Sequence, residues 1–417
     1  MKRFAFVLCL LILTAGFAFS LDYGVLVEQQ LVLQSENRDD LLLGYNPRVT
    51  PWFSWMGENG LSVYLSGLVN LQYTNLLITE EGKDGYSGWG DPYVPVVTPE
   101  LTRFCLTYNT SLFSVEAGRI WYNDVTGLAA SGLFDGARFA MGLPFGSISA
   151  SAFYTGFLYK ENAEIKMTWL DTQEFDKQWF FDDFGKYFGS KRVIASVQYN
   201  IPFLEFHNLS FEVLAQFDVN GERTAFHSQY GEAMANLYLN SVMGLNAGVL
   251  FEAKENQAGE FGAGFGAITG FRMLVPGGLN DMVRVTGKFG SGFSGDYLGY
   301  FSPINSHKQG EIFDWAMGGL WTGRVSYEIR ILQSLFAEAS FSLFGRTWKD
   351  EGYYNYETQK IEKSSPLHGF EAWTSAAYQP FDDIRVTLGG GAFFPTKDSA
   401  YSSDIIWKVS AGLTMSF

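Results

Sequence analysis

Arginine and lysine side chains lie on the polar face of several alternating segments of this 417-residue chain. Apolar residues fill many of the intervening positions, so each extended segment has one charged or polar face. If such cations line a water-filled passage they favour anions, because a low-dielectric wall focuses their field on a passing ion. The candidate pore-lining residues on this polar face are Arg103, Arg138, Arg192, Arg284, Lys288, Arg324, Glu328, Arg330, Glu338, Arg346, Arg385 and Lys408.

The collective excess of positive charge on these faces carries more information than any single residue. Taken alone, Arg324 and Glu328, or Glu338 and Arg346, would merely pair across neighbouring strands. The acids concentrate in the connections between segments, and the whole chain has a net charge of −15. The pattern therefore predicts a basic passage beneath an acidic mouth, with a weak preference for anions.

One connection is a candidate for narrowing this passage. Residues 159–190 form a long connection, and part of it is too apolar to extend freely into water. We expect this part either to pack into the mouth of the passage or to cover its rim as a surface patch. The candidate constriction residues are Trp179, Phe180, Phe181, Asp182, Asp183 and Phe184.

Enzymatic and metal chemistry find little support in the sequence. Its four histidines, His207, His227, His307 and His368, have no recognisable serine or aspartate motif beside them. Asp182 and Asp183 lack the spaced ligands and glycine of a dedicated calcium loop, so a solvated acidic loop is the better interpretation. No phosphate-binding glycine loop, Cys/His metal spacing or exposed basic patch for nucleic acid is present. We therefore expect neither catalysis nor a cofactor, a bound metal or a nucleic-acid partner.

The segments that carry these charges alternate apolar and polar residues one by one. Between Leu61 and Thr74, leucine, valine and tyrosine occupy every odd position except Gly67, and serine, asparagine and glutamine occupy most of the even ones. Such segments recur about eighteen times, or sixteen if 41–55 or 232–241 is misread, at roughly the 9–11 residues that a tilted membrane strand needs. No run after the first twenty residues approaches 18 consecutive apolar residues, which excludes a helical membrane protein. The sequence predicts an all-β, antiparallel, up-and-down transmembrane barrel.

The connections provide an independent test of that fold. Outer-membrane barrels join strands by short periplasmic turns and longer extracellular loops. Short connections fall near 56–60, 110, 143–146, 202–207, 242, 275–280, 332 and 379–382. Longer connections, such as 77–97, 159–190, 291–311 and 347–366, come between them. This alternation supports an even number of strands.

The amino terminus has the features of an export signal. Lys2 and Arg3 precede an apolar stretch that ends near Leu13, and small residues close the segment at Ala18 and Ser20. We expect residues 1–20 to be a signal peptide and residues 21–417 to form the barrel. Cys105 would then be the single remaining cysteine, which excludes an intramolecular disulfide.

The carboxy-terminal strand carries a resemblance to a known class. Trp407, Val409, Ala411, Leu413, Met415 and Phe417 share one face of residues 407–417. This segment resembles the terminal signature of bacterial outer-membrane barrels, which implies that the barrel-assembly machinery reads Phe417. The stretches 116–119 and 133–138 also resemble a strand and loop of large monomeric porins of the alginate-exporter and substrate-specific kinds. Together they imply an outer-membrane porin, and leave its subfamily open.

Three functions fit these features. We expect passive diffusion of small hydrophilic solutes through the lumen, because barrels of sixteen to eighteen strands leave an aqueous channel. Uptake of hydrophobic compounds and adhesion through the extracellular loops are the alternatives. Outer-membrane lipid is the expected surrounding, and the apolar outer faces would serve subunit contacts in a homotrimer or lipid contacts equally well.

Overall fold

The structure is a computed structural model, and it describes most of the chain from Ser20 onwards. The described residues are 20–35, 41–57, 59–78, 96–177, 179, 181, 183–204, 207–220, 226–256, 258–276, 280–292, 299–305, 307–348, 353–355, 360–397, 399 and 401–417. The expected signal peptide lies almost entirely outside this part of the chain and stays a prediction.

Eighteen strands form one closed antiparallel sheet. Each strand pairs with its neighbours along the chain, and the first strand closes the barrel by pairing with both the second strand and the last. The strands are β1 (Ser20–Ser35), β2 (Leu41–Met56), β3 (Leu61–Ile78), β4 (Val96–Asn109), β5 (Phe113–Asn123), β6 (Ser131–Leu143), β7 (Gly146–Tyr154), β8 (Arg192–Phe203), β9 (His207–Asp218), β10 (Phe226–Tyr238), β11 (Met243–Asn256), β12 (Phe261–Leu274), β13 (Met282–Gly290), β14 (Leu320–Leu332), β15 (Leu335–Arg346), β18 (Leu367–Phe381), β19 (Ile384–Pro395) and β20 (Ile406–Ser416). A separate hairpin joins β16 (Tyr353–Asn355) to β17 (Lys360–Glu362).

The prediction of eighteen strands is confirmed, and the sixteen-strand alternative is wrong. The two segments in question form β2 and β10, and each pairs antiparallel with both neighbours. Their alternation is weaker in the sequence because several lumen-facing positions hold apolar residues, such as Trp52 on β2 and Met234 on β10. Such residues blur the contrast between the two faces.

The two faces of the sheet differ in polarity and exposure. On β9, Glu212, Leu214 and Gln216 point inward and are buried. Phe211 and Val213, on the outward face of the same strand, are exposed. A belt of exposed apolar side chains on the outside of a closed sheet is typical of lipid contact.

Short turns and long connections lie at opposite ends of the barrel. We call these the turn end and the loop end. Two-residue turns close the β6–β7, β14–β15 and β18–β19 hairpins at the turn end. At the loop end, the 155–191 connection contains α1 (Lys160–Ala163), α2 (Trp169–Asp176) and a 3₁₀ turn (Phe184–Lys186). Within the described residues, no helix is both long and apolar enough to cross a membrane.

Candidate functional site

Two loop-end connections fold into the lumen, and most buried apolar side chains lie where they meet the wall. One is residues 124–130, between β5 and β6, which we call the short inner loop. The other is residues 299–305 and 307–319, between β13 and β14, which we call the long inner loop. Leu128 of the first and Phe301 and Phe313 of the second are buried among inward-facing aromatic and aliphatic residues of the strands.

Carboxylates anchor the short inner loop. Glu212 on β9 accepts a hydrogen bond from the Val125 backbone amide at 2.9 Å, and Glu232 on β10 accepts from both the amide and the hydroxyl of Thr126. Asp124, within the loop, accepts from the backbone amides of Leu128 and Ala130. Backbone donors that would otherwise be buried without a partner are satisfied in this way.

The first part of the long inner loop is anchored on β10 and β11 through Ser302. Its backbone amide donates to Glu252 at 2.9 Å, and its carbonyl oxygen accepts from the Tyr230 hydroxyl at 2.7 Å. The Lys254 ammonium donates to the Ser302 hydroxyl at 2.9 Å and pairs with Glu252 at 3.3 Å. The three wall side chains of this anchor, Tyr230, Glu252 and Lys254, are buried in the interior of the barrel.

The second part of the long inner loop is anchored on β18 through one buried carboxylate. Glu371 accepts hydrogen bonds from three consecutive backbone amides, those of Glu311, Ile312 and Phe313, at 2.9, 2.9 and 3.0 Å. Gly310 leaves room for this carboxylate, since a Cβ there would lie 2.6 Å from Glu371 Oε2. Charge-assisted bonds of this kind are about twice as strong as neutral ones.

Two cations hold the same turn from either side. Lys408 on β20 donates to the Glu311 carbonyl oxygen at 2.8 Å, and Arg324 on β14 lies 3.6 Å from the Glu311 carboxylate. The long inner loop therefore contacts the wall from β10 to β20. This loop lies across the interior of the barrel and is held to the wall at several points along its length.

The two inner loops also contact each other. The Ile304 amide donates to the Ala129 carbonyl at 2.7 Å, and Asn305 exchanges two hydrogen bonds with the backbone of Ser131 at the start of β6. A cavity of about 100 Å³ remains between them, lined by residues that include Gly127, Lys288 and Lys308. Together the loops narrow the lumen near the loop end.

The 155–191 connection fills a gap in the barrel wall. Pairing between β4 and β5 ends at Phe104 and Arg119, so the part of β4 from Val96 to Arg103 has no partner on β5. The Tyr187 hydroxyl donates to the Pro99 carbonyl at 2.6 Å, and the Asn162 amide donates to the Glu100 carboxylate. The connection thus covers an otherwise open strand edge.

Arg119 occupies the point where the wall divides. The structure buries its guanidinium group, which makes two hydrogen bonds to Asp135 at 2.7 and 2.8 Å and one to the Phe157 carbonyl at 3.0 Å. Gly118 before it has φ +120°, a conformation that favours glycine. The backbone turn at Gly118 directs Arg119 into the gap.

The predicted constriction residues lie in this same connection. Trp179 is buried against the rings of Phe181, Phe184 and Tyr187, and this aromatic cluster rests on β4 through the Tyr187 hydroxyl. Asp183 accepts from the Gly185 amide. Phe180 and Asp182 lie outside the described residues. The connection reaches the mouth of the lumen at α2, where Asp171 pairs with Arg192 at 2.6 Å.

All twelve predicted pore-lining residues occupy lumen-facing positions in the strand registers, and they differ in exposure. Arg192 is fully buried between Asp171 and Asp218, and Arg346 is buried against Ser364, so neither contributes its charge to an open lumen. The residues that are exposed are Arg103, Arg284, Arg330 and Arg385. Those of intermediate exposure are Arg138, Lys288, Arg324, Glu328, Glu338 and Lys408.

Several of these residues already have partners. Arg284 pairs with Glu328 at 2.9 Å, Arg138 with Glu116 at 3.5 Å, and Arg324 with Glu338 at 2.9 Å. Lys288 donates to Gln309 of the long inner loop at 3.2 Å. The sequence leaves two interpretations of these residues open, cross-strand pairing and a cationic lining. Each interpretation therefore applies to a different part of the set.

The sequence reasoning missed two of the carboxylates that anchor the inner loops. Glu371 and Glu232 lie on strands with weaker alternation, and neither is among the predicted sites. Arg48 on β2, which faces the lumen opposite Glu28, was missed for the same reason. The alternation of faces along a strand could have identified them. Glu371 shares a face with Trp373 and Ser375, and Glu232 shares one with Tyr230.

An eighteen-stranded antiparallel barrel whose lumen is narrowed by inward-folded loops defines the class of fold to which the chain belongs. Solved structures share it over almost the whole chain. A BenF-like porin from Pseudomonas fluorescens Pf-5 superposes with a TM-score of 0.58 at 9% identity, covering 95% of this chain and 98% of its own. Pseudomonas aeruginosa OccK8 (OprE) gives 0.57 at 10% identity, with coverage of 95% and 98%. Pseudomonas aeruginosa OprD gives 0.54 at 9% identity, with 95% of both chains covered.

These likenesses establish the shared porin fold. No family model and no curated protein sequence matches the chain.

Proposed function

We propose that this protein is an outer-membrane channel for the passive diffusion of small hydrophilic solutes. The observation that carries the proposal is the lumen itself, a polar, charged interior narrowed by two loops that wall residues hold in place. Barrels of this strand number leave an aqueous channel. The exposed apolar outer face supports a membrane location.

The geometry favours diffusion over the two alternatives. Several lumen-facing apolar side chains, among them Ile194, Leu214 and Phe344, are buried beneath the inner loops and offer no continuous apolar surface to a hydrophobic solute. The aromatic cluster around Trp179 is occupied in covering the wall gap. Passive diffusion through a channel requires no catalytic nucleophile. We therefore propose a channel without enzymatic activity.

Export and assembly complete the proposal. Residues 1–20 would direct secretion, and β20 would be read by the barrel-assembly machinery. The backbone of Phe417 pairs with Val25 through two hydrogen bonds of 2.9 Å, and its side chain is exposed. That position at the closing seam suits a residue that is recognised before the barrel closes.

Liposome swelling tests the diffusion proposal. Proteoliposomes containing the full chain, diluted into isotonic solutions of neutral sugars of increasing size, should swell at rates that fall as the sugar grows. Swelling no faster than that of protein-free liposomes would contradict a diffusion channel.

A weak anion preference is the finer part of the proposal. Lys308 of the long inner loop and three cations of the wall, Lys288, Arg324 and Lys408, lie at the narrow part of the lumen. Glu311, Glu338 and Asp314 offset part of this charge. The net preference should therefore be small.

Reversal potential under a salt gradient measures this preference. We expect a small anion-selective potential, and a shift toward cations in K288Q that exceeds the shift in R385Q. The second variant removes the same charge at the turn end of the lumen, away from the inner loops. Cation selectivity in the unaltered protein would refute the anion preference and leave the channel itself intact.

A further inference from the structure

His307 joins three separate segments at the loop end of the barrel. It belongs to the long inner loop, its Nδ1 lies 3.0 Å from the Glu164 carboxylate of the 155–191 connection, and its Nε2 lies 2.8 Å from the carbonyl oxygen of Ser131. Asn305, two residues earlier, donates to the same carbonyl at 2.5 Å. We call this contact of His307 with Glu164 and Ser131 the His307 junction.

Both partners of the imidazole ring are hydrogen-bond acceptors. A carboxylate and a backbone carbonyl oxygen have no proton to give, whereas a neutral imidazole has one N–H and an imidazolium has two. The junction is therefore fully satisfied only when both ring nitrogens carry a proton. A neutral ring must leave either Glu164 without a donor from His307 or the Ser131 carbonyl with the Asn305 amide alone.

A second contact of Nε2 does not alter this conclusion. The Asn305 amide nitrogen lies 3.2 Å from Nε2, and it could donate to that nitrogen if the ring were neutral. The carbonyl oxygen of Ser131 is closer, and a deprotonated Nε2 would then face it lone pair to lone pair. Lys288 on the wall is the nearby cation that opposes protonation.

We propose that His307 is a positioning residue which, as an imidazolium, holds the long inner loop to the 155–191 connection and to β6. Its protonation therefore changes how firmly the long inner loop is held at the narrow part of the lumen. This proposal rests on the proposed channel function. It assigns a role to a residue that the diffusion mechanism does not otherwise use. It also predicts that the behaviour of the channel depends on pH near neutrality.

The sign of the pH dependence follows from the environment of the ring. The hydrogen bond to Glu164, helped by the Ser131 carbonyl, raises the pKa of His307 above its ordinary value of 6.5, against the opposing effects of partial burial and Lys288. The junction is therefore complete below pH 6.5 and is lost as the pH rises through the raised pKa. Glu164 and His307 are both partly exposed to solvent, which screens their interaction.

Single-channel recording from the full chain at pH 5 to pH 9 tests the proposal. We expect current fluctuations to increase as the pH rises through the raised pKa, by up to about fivefold, since a partly exposed ion pair is worth about that factor at most. E164Q should shift the step to lower pH, and H307Q should abolish it. H207Q is the matched control, because His207 accepts from the Tyr238 amide at the turn end and lies outside the junction. A step that persists in H307Q, or no step in the unaltered protein, would overturn the proposal.

A second measurement separates this proposal from the channel function. The four histidines can be titrated by NMR in detergent micelles and assigned through single variants. The His307 midpoint should lie above 6.5 and fall in E164Q. A midpoint at or below 6.5, or one unaffected by E164Q, would refute the junction even if the protein conducts no current. Absence of current with the expected titration would instead refute the channel.

Discussion

Replacing Glu371 with glutamine should release one end of the long inner loop from the barrel wall. The carboxylate accepts three backbone amides, with Glu311 on one oxygen and Ile312 and Phe313 on the other. A glutamine oxygen can serve one side only, and its NH₂ group would face a donor on the other. Hydrogen bonds to a charged group contribute about 1.5–3 kcal/mol each, so losing one and weakening two should cost about 2–4 kcal/mol.

That cost falls on the part of the long inner loop that Glu371 holds against β18. Each 1.4 kcal/mol is about a tenfold change in an equilibrium constant, so the detached form should become more than about tenfold more populated. Conductance through E371Q should rise and become less steady, and larger neutral sugars should enter. The assay is single-channel recording combined with liposome swelling.

Glu328 provides the matched control for this experiment. It also faces the lumen, and it pairs with Arg284 rather than with a loop amide. E328Q makes the same chemical change and removes the same charge. If E371Q and E328Q gave the same conductance and the same sugar cutoff, the anchoring role of Glu371 would be refuted.

Two further predictions concern the gap in the wall, and both are measured as the midpoint of urea unfolding. R119M should destabilise the barrel by about 3 kcal/mol, because it removes the cation shared by the half-buried Asp135 carboxylate and the buried Glu100 carboxylate; an unchanged midpoint would show that these pairs are dispensable. G118A should cost at least about 1 kcal/mol, because φ +120° strains any residue with a Cβ. G231A is its control, since a Cβ at Gly231 meets nothing within 4 Å, and equal losses in the two variants would contradict the argument.

The barrel could be predicted from the sequence because its cause is local and repeated. Lipid on one side of the sheet and water on the other impose a two-residue period on every strand. The period survives in Leu61–Thr74 even where single positions depart from it. Because the constraint is repeated in eighteen strands, a few exceptional positions do not hide it. The alternation of short and long connections gives independent evidence for the number of strands.

The narrowing of the lumen could not be predicted in the same way. Which connection enters the barrel depends on partners far apart in sequence, such as Glu371 with Glu311 and Glu252 with Ser302. On their own strands these glutamates look like any other polar residue that faces water. In the sequence, length and apolar content point to residues 159–190 as the connection that narrows the lumen. In the structure the apolar side chain of Trp179, within that connection, is buried in a cluster at the wall gap.

The twelve predicted pore-lining residues show that alternation along a strand predicts which side of the sheet a residue faces but not how exposed it is. Alternation places all of them on the lumen side. It does not reveal that α2 covers Arg192, or that Ser364 covers Arg346, because burial at those positions depends on the connections. Exposure, and therefore the charge that a solute meets, is a property of the folded loops.

Single-channel recording in planar bilayers tests the central claim most directly. The account predicts discrete, ohmic current steps from the full chain, smaller than those of a variant whose long inner loop is released by E371Q. A folded, inserted barrel that carried no current in either form would contradict the claim that these loops narrow an open channel.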